Sequence, residues 1–186
     1  MQAVALPLVV EFGWTKEIED RLLAPISIMG VAVEKIIVGI IQAVIAGLFV
    51  LPLAWLMMGT HLNLQPENFL LLILVALITG WLFSALGMVM GTIVEPQQIG
   101  LMFNVLLGPM IFFGCAYYPW TDLHVLPWFQ NFVLINPMVY ASEGFRAALT
   151  PQLPHMPLWL IVGGLAGFCS FFTFLGLRQF KRRSLE

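Results

Sequence analysis

Few side chains in this sequence have the chemistry of a catalytic or metal site. The three histidines, His61, His124 and His155, fall in predicted loops, and Asp122 precedes His124 by two residues. A metal site on these residues is conceivable, but unpaired loop histidines are far commoner than ligands. We therefore expect no metal site.

The sequence also lacks the common catalytic motifs of membrane proteins. It contains no GxxxxGK[ST] stretch, so the chain itself is not expected to bind ATP through a P-loop. The absence of HExxH and GxSxG removes the commonest metalloprotease and serine-hydrolase interpretations. We expect no catalytic residue and no cofactor bound by this chain.

One pair of opposite charges stands out in an otherwise apolar region. Glu143 and Arg146 are three residues apart, so on a helix they face the same way and can form an ion pair. Ionisable residues near membrane depth are functional candidates by default. A structural ion pair is favoured here over a substrate contact.

The composition indicates a membrane protein. Of the 186 residues, 60% are hydrophobic and 10% are charged, against roughly 25% charged in soluble domains. The net charge of −2 suggests no nucleic-acid partner. Cys115 and Cys169 both fall in apolar blocks, which favours two small buried hydrophobes over a disulfide.

The apolar pattern predicts an all-α, multi-pass transmembrane helical bundle. Residues 1–10 are too short to span a membrane, and we interpret them as the end of a truncated span. Four uncharged stretches are predicted spans, at about 36–59, 69–94, 100–118 and 158–177. Seven of the eight Lys and Arg residues lie in the segment 11–35 or in the tail 178–186. By the positive-inside bias, both of these segments are cytoplasmic.

The segment 11–35 holds eight of the 18 charged side chains. Thr15 is a plausible N-cap, and Trp14, Ile18 and Leu22 recur every four residues to form one apolar stripe. Pro25 then limits the helix. The pattern predicts a short amphipathic helix near the membrane surface, with a solvated connecting loop as the alternative.

Small residues recur at helical spacing in two of the predicted spans, which lets another helix backbone approach closely. Chance in a glycine-rich sequence is the alternative. The candidates for helix packing are Gly80, Ser84, Gly87, Gly91, Gly163 and Gly167.

The stretch 119–157 is hydrophobic enough to enter the bilayer, yet it contains Pro127, Asn136, Pro137 and Glu143. Broken backbone at membrane depth is tolerated only where protein or a water-filled cavity shields it. We therefore predict an outer re-entrant or interfacial helical hairpin with its break at Asn136–Pro137. The aromatic residues that suit the headgroup level of the membrane are Tyr117, Tyr118, Trp120 and Trp128.

Three stretches resemble the permease subunit of ABC-2 type transporters, the exporter class. They are EFGWTKEIEDRLLAPIS at 11–27, GCAYYP at 114–119 and LPWFQNFVLINPMVYASEGFRAAL at 126–149. The resemblance covers nearly the whole chain. It corresponds to the last two-thirds of a six-span subunit, with the first span and most of the second absent.

The resemblance implies a cytoplasmic coupling helix at 15–23 that docks in a groove of a separate ATP-binding subunit, which holds ATP and Mg. It implies that the first and third predicted spans line the pathway, in a homodimer or heterodimer with a second permease copy, in a bacterial inner membrane. The coupling residues would be Trp14, Lys16, Glu17, Ile18, Asp20, Arg21 and Leu22. The outer hairpin would use Pro127, Trp128, Asn136, Pro137, Tyr140, Glu143 and Arg146.

The function expected is that of the membrane-spanning permease of an ATP-driven exporter for a drug-like or lipid-like substrate. A polysaccharide or glycolipid exporter is the alternative within transport, because sugars also stack on aromatic rings. A non-transporting membrane scaffold is the alternative of another class. The charged helix argues against it, since an anchor needs no docking element.

Overall fold

The computed structural model describes residues 1–15, 27–58 and 69–184. Within them the regular structure is entirely helical, so the all-α prediction is confirmed for this part of the chain. The helices are α1 (Gln2–Val10), α2 (Ile28–Met58), α3 (Phe69–Ile93), α4 (Ile99–Phe112), α5 (Pro127–Phe132), α6 (Pro137–Leu149) and α7 (Leu158–Arg183). A π-helical turn, Glu11–Thr15, follows α1, and 3-10 turns occupy Trp120–Val125 and Val133–Ile135.

In the described ranges, three helices are long and apolar enough to cross a membrane, namely α2, α3 and α7. The third predicted span, at about 100–118, corresponds to α4, which has 14 residues. Cys115 adopts a φ of 53° just beyond this helix, in the left-handed region that a regular helix cannot continue through. The four-span count therefore stays a prediction.

The second helix begins earlier than the predicted span at residue 36. Ser27 caps it, because its hydroxyl accepts a hydrogen bond of 3.1 Å from the Gly30 amide. Glu34 and Lys35 consequently lie in the first turns of α2. A continuous apolar run does not show where a helix begins when a polar first turn precedes it.

The chain divides into two compact units. The first comprises Met1–Ala43, Gly80–Asn104 and Cys169–Glu186, and the second comprises Val44–Thr79 and Val105–Phe168. The core of the first unit is formed by apolar side chains from α1, α2, α3 and α7, namely Val4, Leu8, Val31, Ala32, Ile36, Met88 and Phe180.

The small residues of α3 lie where this helix meets its neighbours in the first unit. A Cβ built on Gly80 would lie 3.4 Å from the Cβ of Ala43 on α2, and one on Gly91 would lie 3.0 Å from the Ala5 backbone on α1. A Cβ on Gly87 would fall onto the Met1 backbone. Ser84 satisfies its own hydroxyl by donating to the Gly80 carbonyl at 2.7 Å.

In the second unit, α6 packs through a different glycine. A Cβ on Gly144 would lie 3.0 Å from Val75 on α3 and 3.2 Å from Ile161 on α7. On α7, a Cβ on Gly164 would collide with the Tyr140 ring, whereas one on Gly163 or Gly167 would have no atom of the described residues within 4 Å. The packing role of Gly163 and Gly167 stays a prediction.

Candidate functional site

The predicted coupling helix lies mostly outside the described residues. Its candidates Lys16, Glu17, Ile18, Asp20, Arg21 and Leu22 all belong to the range 16–26, and the side chain of Trp14 is likewise not described. The structure does place the two flanks of this range, the turn that follows α1 and the first turns of α2.

An ion pair joins these two flanks. Glu11 at the end of α1 is buried, and one of its carboxylate oxygens binds the Lys35 ammonium of α2. Its second oxygen has no hydrogen-bond partner within the described part of the chain. A buried carboxylate is costly without a compensating charge, so Lys35 holds the position of Glu11 and thus the spacing of the flanks.

The predicted outer hairpin, residues 119–157, lies wholly within the described residues. The chain leaves helical geometry at Asn136, where ψ is 116°, and α6 begins at Pro137. Proline is well suited to this first helical position because its missing N–H would have no partner inside the helix. Pro127 occupies the same position in α5.

Asn136 makes two hydrogen bonds at this break. Its side-chain oxygen accepts from the Met138 amide at 3.0 Å and so caps α6, while its amide group donates to the Met110 carbonyl of α4 at 2.8 Å. The Asn136–Pro137 pair thus both starts α6 and ties it to α4. Re-entry of this segment into the membrane stays a prediction.

Glu143 is the hydrogen-bonding centre of the hairpin. Its side chain is fully buried on α6 and forms an ion pair with Arg146. It also accepts from the Trp120 amide at 2.9 Å and from the Met156 amide at 2.7 Å. Charge-assisted bonds of this kind are roughly twice as strong as neutral ones. Both carboxylate oxygens are therefore occupied by the protein's own donors.

Arg146 extends this network to the chain that follows α4. Its guanidinium donates to the Cys115 carbonyl at 2.9 Å and to the Tyr118 carbonyl at 3.4 Å. These carbonyls lie where the chain has left the α4 helix, so they cannot be satisfied by helical bonds. The arrangement favours a structural role for the Glu143–Arg146 pair, which fixes the turn after α4 against α6.

Two further contacts stabilise the hairpin. The Trp120 indole donates to the Gln130 carbonyl at 3.1 Å, and the Gln130 amide group returns a bond of 3.2 Å to the Trp120 carbonyl. Tyr140 donates to the Leu134 carbonyl at 3.1 Å, and burial raises the pKa of its phenol. Neither Gln130 nor Met156 is among the predicted site residues. Gln130 is recognisable in the sequence because it is a polar residue inside an apolar stretch.

The outward side of α5 is apolar and accessible. Trp128 is 69% exposed, and Phe132 and Ile135 are also exposed, at positions four and seven residues further along. This spacing places them on one side of the segment. Of the two aromatic residues predicted for the headgroup level on this stretch, Trp128 is thus exposed, whereas the Trp120 indole donates to the Gln130 carbonyl.

Across residues 1–15, 27–58 and 69–184, no group of three or more His, Cys, Asp and Glu side chains could hold a metal ion. Ring nitrogens of His124 and His155 each lie 2.9 Å from a backbone carbonyl, that of Thr121 and that of Met156. His61 lies outside the described residues. Cys115 and Cys169 are free and buried.

The comparisons with known proteins point to one family. The sequence model of the ABC-2 type transporter family matches residues 16–150. The chain is 30% identical over 133 residues to the inner membrane transport permease YadH of Escherichia coli (strain K12), and equally to those of Escherichia coli O157:H7 and Shigella flexneri.

These alignments cover 70% of this chain and 49% of each relative, so the chain spans about half the length of the curated relatives it matches. No solved structure matches significantly. The family match takes in most of the charged segment 11–35 and most of the predicted outer hairpin, and it confirms the resemblance carried by the three motifs. The chain belongs to the ABC-2 type transporter family.

Proposed function

We propose that this chain forms part of the membrane-spanning permease of an ATP-driven exporter. The observation that carries the proposal is the family match over residues 16–150, in a chain whose described part holds three helices apolar enough to span a membrane. The relatives are named transport permeases. ATP is hydrolysed on a separate subunit, because this sequence has no P-loop of its own.

The segment 15–23 is the docking element for that subunit. Trp14, Ile18 and Leu22 supply an apolar stripe that is small for membrane anchoring but suited to a protein groove. Apolar anchors at the centre of an interface account for most of its binding energy, whereas charges at its rim tune association more modestly. Lys16, Glu17, Asp20 and Arg21 then set the register around the groove.

The permease works in a bacterial inner membrane, with the segment 11–35 and the tail 178–186 in the cytoplasm. The Lys and Arg distribution supports this orientation. A second permease copy completes the pathway, and transport proceeds outward, as the exporter class implies. The hairpin network around Glu143 then lies at the outer end and shapes the exit.

The substrate is drug-like or lipid-like. The helices expected to line the pathway, α2 beyond Lys35 and α4, carry no charged side chain. Their amide side chains are Gln42 and Asn104, both exposed. A largely uncharged wall suits an apolar substrate better than a multiply charged one.

The test is coexpression of the full-length permease with an ATP-binding subunit, followed by purification and reconstitution. We expect a stable complex whose ATPase activity disappears when the P-loop lysine of the partner is changed to alanine, while the complex itself persists. Purification of the permease without any ATP-binding subunit, under conditions that preserve its fold, would favour the membrane-scaffold alternative.

A further inference from the structure

The end of α7 contacts the turn that precedes the docking segment. The guanidinium carbon of Arg183 lies 5.4 Å from the centre of the Phe12 ring. Phe180, which is fully buried, meets the same ring edge-on, with a centroid separation of 5.5 Å and an interplanar angle of 68°. Phe12 is thus held by two side chains from the C-terminal helix, one through an aromatic contact and one through a cation–π contact.

Arg183 also binds the end of α3. Its guanidinium donates to the carbonyl of Thr92, one residue before this helix ends. The last carbonyls of a helix have no partner within it, and a cation there is favoured by the helix dipole. Arg183 therefore joins α3, α7 and the turn after α1 at one point.

The same turn is confined from a third side. A Cβ on Gly13 would fall onto the Pro96 ring, which belongs to the turn between α3 and α4. One residue before Phe12, Glu11 pairs with Lys35 across the docking segment. The turn that leads to residue 16 is consequently fixed by contacts with α2, with the turn between α3 and α4, and with α7.

We propose that Phe180 and Arg183 are positioning residues for the ATP-binding subunit. They hold Phe12, three residues before the docking segment begins, and so fix the point from which that segment enters the partner's groove. This inference rests on the proposed function. The inference gives the basic tail, residues 178–186, a role besides setting the orientation in the membrane. Orientation depends only on the number of positive charges.

The experiment compares three tail variants of the full-length permease. Arg183→Gln removes the positioning cation, Lys181→Gln removes one charge from an exposed side chain two residues away, and Arg183→Lys keeps the charge without the planar group. The measurement is the Kd of the purified ATP-binding subunit, with ATP and Mg, for the folded, monodisperse permease in nanodiscs.

We expect Arg183→Gln to weaken binding about tenfold, since it loses both a cation–π contact and a charge-assisted hydrogen bond. Lys181→Gln should change the Kd less than about twofold, as is usual for an exposed charge. Arg183→Lys should fall between them, because lysine cannot stack its charge on Phe12 as arginine does.

Phe180→Leu is a fourth variant, which keeps apolar volume but removes the ring that faces Phe12. It should weaken binding several-fold in the folded fraction. Equal Kd values for Arg183→Gln and Lys181→Gln would overturn the inference, and so would a lower folded yield with an unchanged Kd. If the unmodified permease does not bind the subunit, the proposed function itself fails, and the inference fails with it.

Discussion

At the residue scale, the Glu143–Arg146 pair shows how a buried charge is accommodated in an apolar region. An ionised carboxylate without partners is strongly disfavoured there, and in this chain two backbone amides and one guanidinium offset that cost. The three-residue spacing was enough to predict the pair itself. Its partners at Cys115 and Trp120 depend on the path of the chain after α4, which spacing does not reveal.

Removing one member of this pair should destabilise the permease. Glu143→Ala leaves a partly buried guanidinium, and Arg146→Ala leaves a fully buried carboxylate. Each should cost about 3–5 kcal/mol of folding free energy. The readout is folded yield and thermal unfolding of the purified protein, with Glu95→Ala as the control, because Glu95 is exposed.

The double variant Glu143→Ala with Arg146→Ala should recover part of this loss, since neither charge is then left unpaired. Two single variants as stable as the Glu95→Ala control would contradict a structural role for the pair.

At the element scale, α7 shows what residue spacing can and cannot determine. Glycines at positions 163 and 167 have the spacing of a helix-packing motif, yet in the second unit it is Gly164 that lies against Tyr140. Successive residues on a helix point about 100° apart, so neighbouring glycines serve different faces. Sequence spacing identifies a helix with closely packed faces, but not which face meets which neighbour.

This difference gives a matched pair of substitutions on one helix. Gly164→Ala places a methyl group against the Tyr140 ring and should destabilise the protein by about 1–3 kcal/mol, as overpacking does. Gly163→Ala meets nothing within 4 Å in the described structure, and should be neutral or stabilising by up to about 1 kcal/mol through helix propensity.

Thermal unfolding of the two purified variants in the same detergent measures the contrast. Equal melting temperatures would mean that Tyr140 can move aside, and that the contact between α6 and α7 is looser than the structure has it.

The ends of α2 and α4 are a second feature that cannot be determined from the sequence. Both helices lie in long apolar runs, where composition changes too gradually to mark an end. The turn after α4 depends on a left-handed Cys115, and a non-glycine residue carries no sequence signal for that conformation. By contrast, Pro127 and Pro137 do mark the starts of α5 and α6, because proline has few other places in a helix.

At the scale of the whole molecule, the membrane class followed from composition, and the family followed from three motifs that the family match then confirmed. The contacts of Phe12 with Phe180 and Arg183 could not be foreseen in the same way. These residues are separated by most of the chain, and only the packing of α1, α3 and α7 brings them together. From the sequence alone, the basic tail therefore indicates only the orientation of the chain in the membrane.

Docking of the segment 15–23 on an ATP-binding subunit can be tested by one double substitution. Ile18→Ala with Leu22→Ala removes two apolar anchors four residues apart. Such anchors can each cost above about 2 kcal/mol of binding free energy when truncated. The matched control is Leu70→Ala with Leu74→Ala, which removes two exposed apolar side chains at the same spacing on α3.

Both double variants are made in the full-length permease, coexpressed with the ATP-binding subunit and purified from membranes. We expect that both variants insert and fold, that the control copurifies the subunit as the unmodified protein does, and that the Ile18–Leu22 variant loses it. Equal recovery of the subunit by the two variants, with ATP turnover still coupled to export, would contradict the docking role of this segment.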